Sequence, residues 1–172
     1  TIIEPGVIIQ PGVTIGDHVR VGSGTVLGSS SFSPSRYRGR AITLLDCGTV
    51  VIGDGVEIRS LCSIERGIFE GEEITLSDGV KLDQMVVVEH GTYIGSCTFV
   101  VGGSVICGKC TIGRDAWLGA NVTVSNRIKI GDGARVSLGA VVTKNVFAGE
   151  TVSGNFAIEH RRFLKKLESS SG

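Results

Sequence analysis

Every sixth residue from Leu76 onward is aliphatic: Leu76, Leu82, Val88, Ile94, Val100, Ile106, Ile112, Leu118, Val124, Ile130, Val136 and Val142. With hydrophobic residues at 41% of the chain, chance would give that run in about one of 10⁴ to 10⁵ trials, so the period is a structural signal. Ile3, Ile9, Ile15, Val21 and Leu27 repeat it near the start, and Ile52, Ile58 and Ile64 in between. A period of six suits neither an α-helix nor one long strand. Four residues after each aliphatic position stand small or β-branched residues, such as Thr92, Thr98, Ser104, Cys110, Ala116, Ala134 and Ala140. Glycine often follows the aliphatic directly, as at Gly95, Gly113, Gly119 and Gly131. One short strand and one tight turn per six residues satisfies all of this. Three such units close a triangular coil of 18 residues. The aliphatics point inward and stack at the spacing of parallel strands, about 4.8 Å. The expected fold is all-β, a parallel β-helix of hexapeptide repeats.

Its 172 residues fit one domain. The β-helix is expected over residues 1–154, with insertions at about 28–45 and 66–73 where the repeat breaks. Asn155 is placed to cap a short helix over 155–168, and 169–172 read as a disordered tail. The repeat is already under way at residue 1, which leaves open whether a leading domain precedes this chain. Seventeen basic residues balance seventeen acidic ones, which argues against nucleic acid as a partner. No apolar stretch is long enough for a bilayer and no signal peptide is visible, so membrane insertion is not expected and a cytoplasmic protein is. Five cysteines show no disulfide framework. Cys107 and Cys110 form a CxxC without a second ligand pair, and no metal site is expected.

Chemistry needs a residue that does not serve the stack. His90 follows inward Val88 by two, so it falls at a turn and faces out. Eighteen residues on, the same column holds Gly108, and after another eighteen, Asn126. An imidazole below a backbone N–H without a side chain pairs a base with an oxyanion donor, the minimum for acyl transfer. His90 would deprotonate an amine or hydroxyl, and the Gly108 N–H would hold the oxyanion formed from a thioester. Imidazole suits that step at cellular pH. Glu89 is expected to be solvated.

These residues sit in a run, VVIGDGVEIRSLCSIERG…LSDGVKLDQMVVVEHGTYIG, that resembles the UDP-3-O-acylglucosamine N-acyltransferases of the lipid A pathway. The resemblance extends from about Val7 to Leu164, and its specific part is the block around His90. It implies a left-handed coil, His90 as the catalytic base and Gly108 as the oxyanion donor. Glu65-Arg66-Gly67 stands where that family has Asp-Arg-Gly, and Asp83-Gln84 where it has Asp-Asn. The segment VLGSSSF, ending in Phe32, echoes the one shaping the family's substrate groove. A second family histidine falls on Arg127, and an acidic turn residue on Ser30. The resemblance thus marks Asn126, Arg127, Asp83 and Phe32 as substrate or donor contacts. It implies a homotrimer with a sugar-type acceptor. No permanently bound cofactor follows from it, only acyl carrier protein or acyl-CoA as acyl donor, because WLGANVTV…IGDGARVSLGAVVTKNV also resembles CoA-dependent sugar acetyltransferases. Arg161, Arg162, Lys165 and Lys166 would offer a basic face to an acidic carrier. Two alternatives stay open: a non-catalytic β-helix scaffold, and a metalloenzyme of the γ-carbonic anhydrase type, which needs more histidine ligands than this chain places together.

Overall fold

A computed structural model describes residues 1–154, 159–162 and 169. The chain winds through three parallel sheets of eight, seven and six short strands, visiting each in turn. They form the first, second and third faces of a triangular, left-handed β-helix. From Lys81 to Val124 each strand residue pairs with the one 18 further along, and in the last coil the step shortens to 16, Arg135 lying against Thr151. Lys81 lies against Phe99, Val87 against Val105 and Tyr93 against Thr111. Lower in the prism the step widens because loops are inserted. Glu57 pairs with Lys81, and Arg20 with Glu57.

The twelve aliphatics of the six-residue series are all buried. Removing each such side chain from water contributes about 1.5–3 kcal/mol. Ile3 and Ile9 belong to the same columns yet are 43% exposed, because the first coil has a neighbouring layer on one side only. The buried hydroxyls behave as small core residues with a second duty. Thr98 Oγ1 donates to the Gly113 carbonyl at 2.7 Å and accepts from the Ala116 N–H at 3.1 Å. Ser104 Oγ donates to Gly119 O at 3.0 Å and accepts from Val122 N–H at 3.1 Å. Each hydroxyl thus satisfies corner amides and carbonyls of the next coil, which would be costly if buried unpaired.

Both insertions leave the corner that joins the second face to the third. The first is shifted from the expected 28–45: Val26–Ser29 is still a strand, and the loop runs over residues 30–48. It is not irregular either. Pro34–Tyr37 and Arg40–Thr43 pair as an antiparallel hairpin. Arg38 and Gly39, at φ 48° and 77°, form its two-residue turn, both left-handed as the twist of a hairpin favours. The second insertion ends before the strand Glu73–Leu76, one residue short of the expected boundary. The expected helix over 155–168 and tail over 169–172 lie outside the described residues except for 159–162 and 169. Among the described residues no helix is long and apolar enough to cross a membrane.

Candidate functional site

The corner between the second and third faces stacks Glu89-His90-Gly91, Cys107-Gly108-Lys109 and Ser125-Asn126-Arg127 in successive coils. The Lys109 N–H donates to His90 O at 2.8 Å, and the Arg127 N–H to Gly108 O at 3.0 Å. His90, Gly108 and Asn126 therefore share one column, as their spacing predicts. The Nε2 side of the His90 ring lies against Gly108: a Cβ there would meet its Cε1 and Nε2 at 2.5 Å. Together with Ile68, Lys109, Asn126 and Arg127 they line an open cleft of 450 Å³.

One carboxylate anchors the histidine from the coil below. Glu65 Oε2 accepts the His90 backbone N–H at 2.9 Å and lies 3.4 Å from Nδ1. Both side chains are largely covered, 14% and 19% exposed. That contact leaves Nε2 turned to Gly108 and the cleft. Burial pushes the Glu65 carboxyl above its ordinary range, the nearby Glu89 charge adds to this, and the His90 N–H bonds oppose it.

Glu89 departs from expectation. It is half-buried, and its Oε2 accepts the Gly108 N–H at 3.0 Å. The amide assigned to the oxyanion is therefore not bare in this structure. The carboxylate one residue after an inward aliphatic caps the corner amide of the next coil, Glu65 for His90 and Glu89 for Gly108. Asp83 does the same for Gly102 at 3.1 Å.

Asp83 stands on another edge of the prism, between Lys81–Leu82 of the first face and Val87–Val88 of the second. It shares a cleft with Glu57, Arg59, Lys81, Leu82 and Phe99 rather than with His90. Its expected substrate contact is thus not brought to the His90 cleft within one chain, because it precedes a different turn. Phe32 is 82% exposed at the base of the first insertion, on the His90 corner but outside the cleft lining. Asn126 and Arg127 do line the cleft.

The second insertion supplies what spacing missed. Glu72 Oε2 accepts the N–H groups of Ile68 and Phe69 at 2.7 and 3.2 Å, and Oε1 pairs with Lys109 Nζ at 3.4 Å. Lys109 Nζ also lies 5.6 Å from the Phe69 ring centroid, within range of a cation–π attraction. Gly91, at φ 61°, gives Glu72 its passage; a Cβ there would meet Oε1 at 2.5 Å. This pinning holds Ile68 at the lip of the cleft. Arg66 ties the other end down, with Nε on Gly28 O at 2.9 Å and Nη2 on Pro11 O at 3.0 Å. Glu65 could have been found as the residue after Ile64 in the hexad, but the insertion hides its place one coil below His90. Among the described residues no three His, Cys, Asp or Glu side chains converge as a metal site would need.

The bacterial transferase hexapeptide (six repeats) profile matches residues 1–29 and 109–144. UDP-3-O-acylglucosamine N-acyltransferase of Albidiferax ferrireducens is 29% identical over 84% of this chain and 44% of its own. That of Shewanella denitrificans is 35% identical over 79% of this chain and 40% of its own. The chain thus spans less than half the length of these curated relatives. Among solved structures, the UDP-N-acetylglucosamine acyltransferase of Francisella novicida matches 96% of this chain and 71% of its own at TM-score 0.68 and 21% identity. A hexapeptide transferase family protein from Anaplasma phagocytophilum matches 99% and 86% at TM-score 0.56 and 17% identity. At that identity the structures speak for the fold alone. In its repeat and its coil, the chain is similar to the bacterial transferase hexapeptide-repeat proteins.

Proposed function

We propose that this chain is an acyltransferase that moves an acyl group from a thioester to the amine of a sugar or nucleotide sugar. The observation that carries the reading is the His90 ring lying on Gly108 inside an open cleft, with Glu65 behind its Nδ1. The relatives named UDP-3-O-acylglucosamine N-acyltransferase support it, being 29% and 35% identical to this chain over 84% and 79% of its length.

In this reading His90 Nε2 removes a proton from the neutral amine as its nitrogen attacks the thioester carbonyl carbon. Glu65 favours the resulting imidazolium and fixes the ring. The oxyanion takes the Gly108 N–H from Glu89, whose carboxylate swings away as the donor enters. Collapse breaks the C–S bond, and the imidazolium returns its proton to the leaving thiolate. The products are an amide and a free thiol, and no bound cofactor takes part. Arg127 and Asn126 contact the donor or the sugar. The donor is acyl carrier protein or acyl-CoA. Three chains pack as a homotrimer in the cytoplasm, and Asp83 reaches a site only from a neighbouring protomer.

The test is thioester consumption with acyl carrier protein and acyl-CoA panels against UDP-linked amino sugars, in wild type and His90→Ala. Turnover that falls by about 10²-fold or more in the variant supports the base. Unchanged turnover removes it, and no turnover with any donor leaves a scaffold.

A further inference from the structure

We infer that the hairpin Pro34–Tyr37/Arg40–Thr43 is a docking arm for a small acidic protein bearing the acyl thioester. The inference rests on the acyl-transfer reading and chooses its donor. Every residue of both strands is exposed, so the hairpin serves no part of the core. It is nevertheless held firmly at its root. Asp46 accepts the N–H and hydroxyl of Ser31 at 2.5 and 3.0 Å, Ser31 and Ser33 hydroxyls meet at 2.5 Å, and Leu44 N–H donates to Ser33 O at 3.2 Å. An anchored arm with no packing role is built to meet something outside the fold.

Its charge says what. Arg36, Arg38 and Arg40 lie within five residues, and among the described residues none is paired with a carboxylate. The pairing Arg36↔Ala41 and Tyr37↔Arg40 puts Arg36 and Arg40 on opposite sides of the ribbon, with Arg38 in the turn. Cations on both sides and the tip make a broad positive surface. The hollow of Pro34, Ser35, Arg36 and Ala41 holds one cation only, too few to enclose a free diphosphate. An acidic helix, with carboxylates spread along it, complements three separated guanidiniums. Phe32 and Leu45, 82% and 94% exposed at the root, add an apolar collar of the kind found at protein contacts. Place agrees with charge. The arm leaves the His90 corner two coils below the ring, about 10 Å along the prism at strand spacing, within reach of a flexible thioester-bearing prosthetic arm.

The experiment measures binding of fluorescently labelled, unacylated bacterial acyl carrier protein to the full chain. The variants are the triple Arg36→Glu/Arg38→Glu/Arg40→Glu and its alanine counterpart, both matched to wild type in melting temperature. Kd should rise about tenfold or more in the glutamate triple, less in the alanine triple, and wild-type binding should weaken steeply with salt. In turnover, KM for the acylated carrier should rise while kcat and KM for acyl-CoA stay put. Equal Kd in all three proteins overturns the arm, as does an altered oligomeric mass in the variants, which would assign the hairpin to a neighbouring copy. Binding displaced by pyrophosphate alone at equal charge concentration also overturns it, in favour of a small anion. Carrier binding that follows the arginines without turnover in wild type would defeat the acyl-transfer reading and spare the arm.

Discussion

A methyl group at position 108 has no room beside the His90 ring, since it would approach Nε2 to 2.5 Å. Gly108→Ala should therefore push the ring from the corner and lower kcat by about 10²-fold, the effect of an ångström-scale misplacement. Denaturation should show the coil stack little changed. Glu89→Ala separates room from charge: it releases the Gly108 N–H, so kcat should hold or rise. A loss as large as that of Gly108→Ala would show that Glu89, not the amide, matters to the reaction. Glu65 makes a pH prediction. Burial first, and the Glu89 charge next, raise its carboxyl, so the folded chain holds this proton more tightly than the unfolded one. Its stabilising contribution is full below the ordinary carboxylate value and is lost as pH rises through the raised one. Glu65→Gln should thus gain urea stability relative to wild type as pH climbs from about 4 to 7, while losing turnover because nothing charged then faces the imidazolium. A constant stability difference across that range would refute the assignment.

At the level of elements, the second insertion depends on Glu72. Burial raises this carboxyl, but the Ile68 and Phe69 amides and the Lys109 ammonium outweigh it, and the net shift is downward. Its contribution is present above the ordinary carboxylate range and lost as pH falls through the depressed value. Protection of the 68–72 amides relative to their intrinsic exchange rate should fall on acidification in wild type, and Glu72→Gln should show low protection at every pH. Such a loop also explains what the sequence could and could not disclose. Columns built from unbroken hexads were legible, because 18 residues close one coil and fix who stands above whom; His90, Gly108 and Asn126 follow directly. Glu65 and Ile68 were not, since residues 66–72 break the count between coils. Glu89 is not legible in the same way, because alternation puts its side chain outward while in the fold its carboxylate reaches the amide above. Asp83 is marked by the resemblance alone, and the seven residues from it to His90 carry the chain along another face to a different corner.

For the whole molecule, the three faces differ in a way that bears on assembly. On the second face the residues before each inward aliphatic, Ile8, Val26, Ser63, Val87, Val105, Thr123 and Val141, carry no charge, and its one strand carboxylate, Glu65, lies at the His90 corner. The first face carries Arg20, Glu57, Lys81 and Arg135 around the aromatic pair Phe99 and Trp117, and the third ends in Lys129. A flat, uncharged β-surface is the one of the three that can be buried against another copy without stranding ions. The second face also runs into the His90 corner, so contact across it would wall the cleft with a neighbour. Val105→Glu, at mid-face, would bury a carboxylate at each contact. If the proposed trimer forms through this face, light scattering should then report a single chain of 18.0 kDa in place of three, with an unchanged circular dichroism spectrum, since the side chain points away from the core. Turnover should fall with the mass, because the cleft loses its second wall. A variant that stays trimeric and active would move the threefold contact to another face and leave the His90 cleft the property of one chain.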